Sequence, residues 1–188
     1  MNAALPLLGI FVGGASSRMG GAPKGLLRVP TGETIVERWR ALGAGAGLSC
    51  VLVGEAEAYA PLGLEAIADL APGAGPLGGL AALMRRAPKG RVIAVGCDMP
   101  HVTPPLLERL MAADVAAAAV APFRDGRFEP LFARYESARV LPEAERRLAA
   151  GELSLQGLLR AVGAAALSIA DVEWPLLADW DAPADITP

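Results

Sequence analysis

The sequence predicts an α/β fold: a three-layer α/β/α, Rossmann-like single domain over residues 1–188 with a mostly parallel sheet. Three observations predict it. Uncharged runs of strand length alternate with stretches of helical spacing along most of the chain. The first run, Leu5 to Val12, is apolar throughout, as a parallel strand buried on both faces must be. Three segments rich in glycine or carrying an aspartate also fall just after predicted strands, at the edge where open parallel sheets hold their ligands.

Taken in order, Leu5 to Val12 is the first strand and leads into a glycine loop. Glu33 to Gly43 has helical spacing and ends on glycine. Leu48 to Val53 is the second strand, and Leu64 to Ala68 a short third. Pro76 to Arg86 opens with proline and closes with two arginines, as a helix prefers. Arg91 to Val95 is a strand that stops just before Gly96-Cys97-Asp98, and Pro104 to Ala112 is helical. Val115 to Ala121 is read as a strand halted by Pro122, and Phe128 to Tyr135 as another. Pro142 to Ala150 and Ser154 to Val162 read as helices, and Ala165 to Ile169 as a last short strand. The tail from Trp174 to Pro188, rich in aspartate and proline, reads as surface chain.

Bulk composition excludes several classes. A net charge of −3 argues against a broad nucleic-acid or anionic-membrane surface, which needs a basic face. No uncharged stretch free of glycine and proline reaches the ~18 residues of a membrane span. Met1 to Ser17 lacks a basic leader segment, so the expected compartment is the cytoplasm. Cys50 and Cys97 form no CxxC pair, and His101 is the single histidine, so a zinc cage is excluded. Both cysteines read as reduced thiols, and His101 as a surface or capping residue.

Gly13 to Gly25, GGASSRMGGAPKG, carries the chemistry of the amino-terminal edge. It is not a Walker A loop, because glycine follows Lys24 where serine or threonine is required. Its free N–H groups suit phosphate oxygens, and Arg18 and Lys24 supply the positive charge. A second glycine segment at Gly73, Gly75 and Gly78 spells GxGxxG with Asp98 twenty residues on. It does not follow a strand directly and holds Pro76 inside, so a nicotinamide site is disfavoured. Asp69, just before it, reads as a nucleoside contact or as a turn-forming aspartate. Asp98 follows a buried strand and suits a hard divalent cation on phosphates, or else caps the next helix. Arg124 and Arg127, in RDGRFEP, are candidates for an anionic acceptor.

Together these segments resemble a family. FVGGASSRMGGAPKGLL, then D-x(3)-G-x-GPLGGL, CDMP and DWDAPAD, in that order and across almost the whole chain, are similar to the molybdenum cofactor guanylyltransferases (MobA). These belong to the nucleotidyltransferases of the nucleotide-diphospho-sugar transferase fold. The family pattern runs LAGGxSxRMGxDKxLL, GPLxG, CDxP and NxNTPED. The resemblance implies transfer of GMP from GTP to molybdopterin with Mg²⁺ and release of pyrophosphate. It implies that Phe11, Val12, Gly13, Gly14 and Lys24 hold the nucleotide, that Asp69 contacts its nucleoside, and that Asp98 binds GTP and Mg²⁺. Asp181 falls where the family places its second asparagine, near the metal. Arg18, Lys24 and Asp98 are the catalytic candidates. The chain departs from the pattern at Pro23, at Gly54-Glu55, and at Asp179 and Asp181. These departures keep open a relative using CTP, a sugar phosphate or another phosphorylated acceptor, and a nucleotide-binding regulator without turnover. A transient partner that delivers the acceptor also stays open.

Overall fold

The computed structural model describes residues 6–13, 23–71 and 73–180. An eight-stranded mixed sheet runs through them, in the order β3-β2-β1-β4-β7-β5-β6, with β8 beside β5. The strands are β1 (Leu7–Phe11), β2 (Ser49–Val53), β3 (Ala66–Ile67), β4 (Arg91–Gly96), β5 (Ala119–Arg124), β6 (Arg127–Phe128), β7 (Phe132–Glu136) and β8 (Ala165–Leu167). The helices are α1 (Ile35–Gly45), α2 (Pro76–Arg86), α3 (Pro104–Ala112), α4 (Ser137–Ala149) and α5 (Leu155–Ala161).

β1 pairs in parallel with β2 and with β4, and β2 in parallel with β3. This is the parallel half expected from the apolar runs, and its central strand β1 is buried along its whole length. Alternate side chains of β1 feed two separate cores. Leu8 and Ile10 join the layer holding Trp39 of α1 and Leu106, Leu107 and Leu110 of α3. Leu7 and Phe11 join the layer of α2, α4 and α5, with Leu80, Leu83, Val140 and Leu158. Between them Gly9 lets α2 lie close, because a Cβ there would run into the Leu83 side chain. α1 starts where Thr34 accepts the Glu37 N–H (3.2 Å) and the Glu37 carboxylate takes the Thr34 N–H (2.8 Å), a reciprocal cap.

The other half departs from the parallel pattern. β7 lies antiparallel between β4 and β5, and β5–β6 is an antiparallel hairpin. Three expectations are corrected here. Phe128 to Tyr135 is two strands, β6 and β7, parted by residues 129–131. Pro122 does not stop β5; it sits where pairing with β7 ends and pairing with β6 begins, so its missing N–H is not demanded there. Pro142 lies inside α4, which starts five residues earlier, because Val140 and Ala144 are both driven fully into the core. The carboxyl-terminal tail is also corrected up to residue 180. Asp171–Leu177 is a 3₁₀ turn, Leu177 is buried, and Trp180 is only 1% exposed. Residues 181–188 lie outside the described residues. Among the described residues no helix is long and apolar enough to cross a membrane.

Candidate active site

The carboxyl ends of β1, β2 and β4 are tied together by main-chain bonds that continue past the strands. The Val12 N–H donates to the Val53 carbonyl (3.0 Å) and the Cys97 N–H to the Phe11 carbonyl (3.1 Å). At this edge two glycines face each other. A Cβ on Gly54 would lie 3.1 Å from the Gly13 nitrogen, and Gly54 has φ +105°. Backbone therefore approaches backbone where a side chain would intrude. Gly54 is one of the departures from the family pattern, and this close approach gives it a physical reason.

Lys24 opens a short 3₁₀ turn, Lys24–Leu26, held from below by Tyr59. The Gly25 N–H donates to the Tyr59 hydroxyl (3.2 Å), across 34 residues of sequence. Gly25 is required there, since its Cβ would lie 2.7 Å from Val36 and 2.9 Å from the Tyr59 ring. The anchored turn brings the Lys24 ammonium to the Asp98 carboxylate, Nζ to Oδ2 3.1 Å, with the two side chains 20% and 25% exposed. Two expected site residues, 74 apart in sequence, thus meet directly.

Asp69 follows β3. Its Oδ1 would lie 2.8 Å from a Cβ on Gly79, which would also crowd Val53 and the Phe11 ring. The last glycine of GPLGGL therefore makes room for the Asp69 carboxylate beside β1 and β2. Burial pushes the Asp69 carboxyl above its usual range, and the charge of Glu55 pushes it the same way. Cys97 is buried beside Asp98. Burial first, and the Asp98 charge second, push its thiol up to about 12, so it is no nucleophile at neutral pH. Burial likewise raises the Tyr59 hydroxyl well beyond its usual range, which suits a structural acceptor. Phe11, Val12 and Gly13 sit at the same edge, while Gly14, Arg18 and Asp181 lie outside the described residues.

Beyond β4, a cleft of about 510 Å³ is lined by Pro76, Arg124, Arg127, Glu129 and Trp174. The Arg124 guanidinium lies 5.4 Å from the centre of the Trp174 ring. The Glu129 carboxyl is raised chiefly by burial and feels the charge of Asp98, so the cleft and the Lys24–Asp98 pair are electrostatic neighbours. Sequence reasoning missed Tyr59, Glu129 and Trp180. Glu129 had a signal as part of the RDGRFEP segment and Trp180 as part of DWDAPAD, while Tyr59 had none. Among the described residues no three acidic, histidine or cysteine side chains cluster as a metal cage. Asp98 alone still fits a magnesium ion, which takes one or two carboxylates and completes its shell with phosphate oxygens and water.

Comparison with known proteins follows this geometry. The model of the MobA-like NTP transferase domain matches residues 9–167. A molybdenum cofactor guanylyltransferase of Pseudomonas putida is 35% identical, over 80% of this chain and 80% of its own. Another, from Pseudomonas entomophila, is 34% identical over 91% and 92%. Among solved structures, the molybdopterin-guanine dinucleotide biosynthesis protein A of Archaeoglobus fulgidus superposes with a TM-score of 0.77 at 24% identity, covering 96% of this chain and 94% of that one. That match shows the shared fold. With most of its length matched, and with Gly13, Asp69 and Asp98 at one sheet edge, the chain belongs to the MobA-like NTP transferase family, a family of nucleotidyltransferases.

Proposed function

We propose that the protein transfers GMP from GTP to the phosphate of molybdopterin, giving the guanine dinucleotide form and pyrophosphate. The observation that carries this reading is the meeting of Lys24 and Asp98 at the carboxyl edge of β1 and β4. The relatives named as molybdenum cofactor guanylyltransferases support the substrate pair. The whole chain, 1–188, acts as one nucleotidyltransferase domain in the cytoplasm.

In the reaction an oxygen of the acceptor phosphate forms a bond to the α-phosphorus, and the bond from that phosphorus to the β-phosphate bridge breaks. Pyrophosphate leaves with the electron pair. The acceptor is already an anion, so positioning and charge stabilisation supply most of the catalysis. Phe11 to Gly14 present main-chain groups to the nucleotide, and Asp69 contacts the nucleoside. Lys24 turns from Asp98 to the phosphates as they arrive, and Arg18 assists it. Asp98, with Asp181, holds Mg²⁺, which when bound neutralises charge on the phosphate oxygens. The Arg124–Arg127 cleft takes the acceptor, whose phosphate suits guanidinium forks.

Calorimetric titration with GTP, CTP, ATP and UTP, each with Mg²⁺, tests the reading on wild type and Asp98→Ala. Tight GTP binding that weakens in Asp98→Ala, together with pyrophosphate release on adding molybdopterin, is the expected result. A clear preference for CTP would keep the chemistry and overturn the guanine assignment.

A further inference from the structure

Trp180 closes a contact that nothing in the proposed reaction uses. The chain returns from the 3₁₀ turn at residues 171–177 and lays Trp180 against the turn that follows β4. Its main-chain N–H donates to the Asp98 carbonyl (2.8 Å). Its indole N–H donates to Nε2 of His101 (3.2 Å), and the two rings meet edge to face, centroids 5.7 Å apart and planes at 76°. One residue thus grips both ends of the segment Asp98-Met99-Pro100-His101, once by main chain and once by side chain. The same segment is held from the other side by Arg38 of α1, whose guanidinium donates to the carbonyls of Pro100 (2.7 Å) and Val102 (3.0 Å). Met99 and Pro100 between them are buried. Trp180 itself is 1% exposed, so the indole is a committed core side chain and not a surface ring passing by.

We propose that Trp180 and His101 form a latch that positions Asp98 for its cation. The imidazole Nε2 serves as the acceptor of that bond. His101 and Trp180 are positioning residues; neither touches the substrate. The inference rests on the reading of Asp98 as the cation ligand.

The test compares Trp180→Phe and His101→Phe, which each remove one side of the bond, with His101→Gln, which keeps an acceptor. Mn²⁺ affinity is measured by calorimetry in the presence of a GTP analogue with a methylene bridge between the α- and β-phosphates, and kcat is measured separately. The two Phe variants are expected to bind Mn²⁺ about five-fold more weakly, the size of one neutral hydrogen bond. They are expected to lose kcat by a similar factor, with metal-free binding of the analogue within about two-fold of wild type. His101→Gln is expected to match wild type in both, and the double Phe variant to be no worse than either single, since one bond is lost once. If both Phe variants keep wild-type Mn²⁺ affinity and kcat while only their melting temperature falls, the contact is merely structural and the latch is refuted. Asp98→Ala separates the two layers. Loss of Mn²⁺ there with Mn²⁺ retained in the Phe variants overturns the latch alone. Mn²⁺ retained in Asp98→Ala overturns the cation assignment and the latch with it.

Discussion

The two halves of the sheet build their share of the site from different materials. On the β1–β2–β4 side the surface is main chain: Gly13 against Gly54, Gly79 making room for Asp69, and Gly25 seated on Tyr59. Among the described residues the Lys24–Asp98 pair adds a bond between charged side chains there. On the β5–β8 side the surface is side chain: Arg124 and Arg127 on a hairpin, a Trp174 ring, and a half-buried Glu129. The contrast matches what each half has to recognise in the proposed reaction. Triphosphate is a fixed pattern of oxygens that N–H groups can meet without any side chain. An acceptor differs from enzyme to enzyme, and long side chains on a hairpin change without disturbing a parallel core.

Substitutions can break that contrast. The largest expected effect is at Lys24. Lys24→Ala is expected to lower kcat by about 10²–10³, the usual cost of one electrostatic contact made in the transition state. Pyrophosphate release measures it, and turnover within three-fold of wild type would remove Lys24 from the catalytic set. Next come two glycines compared directly. Gly54→Ala at φ +105° and Gly126→Ala at φ +77° both force a side chain into left-handed backbone, at a cost of about 1–3 kcal/mol each. A Cβ on Gly54 also meets Gly13 at 3.1 Å, whereas one on Gly126 meets nothing within 4 Å. Both variants should melt earlier, but only Gly54→Ala should weaken GTP, by about ten-fold in calorimetry, because only there does backbone geometry shape the nucleotide edge. Equal GTP affinity in the two would mean that the Gly13–Gly54 approach is a folding feature alone.

Arg124→Ala probes the other half. It is expected to raise the KM for the acceptor about five-fold and leave the GTP dissociation constant unchanged, since a partly exposed arginine is well screened. A change in GTP affinity of the same size would show that the two halves are not separate in function.

How much of this was legible in the sequence follows the same division. β1 announces itself as an uncharged run and β4 as an apolar run after its opening arginine, and their glycine and aspartate ends carry motif signals, so Lys24, Asp69 and Asp98 could be chosen before any geometry. The carboxyl-terminal half is decided by tertiary contact. The alanine-rich stretch before β5 has no period to fix its start, which falls at Ala119 and not at Val115. α4 begins at Ser137 although Pro142 looks like an opening residue, because its buried face reaches back to Val140. The tail was read as surface chain from its aspartates and prolines, yet Trp180 is buried against a histidine 79 residues away. Tyr59 was invisible for the same reason: its partner is a main-chain N–H far off in sequence, and no residue type marks such an acceptor.

The smallest expected effect concerns the cysteines, and it sharpens the contrast by testing how rigid the main-chain half is. Cys97 sits between β4 and Asp98, with its N–H on the Phe11 carbonyl and its thiol pushed up to about 12. Cys50, in β2, is pushed up to about 11 by burial. The thiolate is the reactive form, so at pH 8 only a very small fraction of either is available, and the buried Cys97 must also be reached. Iodoacetamide at pH 8 should therefore leave turnover unchanged over a period in which the unfolded chain is alkylated at both positions, as intact mass would show. Rapid modification of Cys97 in the folded protein would mean that the β1–β4 edge opens readily. The nucleotide edge would then have to be organised by its ligand, and not set in advance by the glycines that line it.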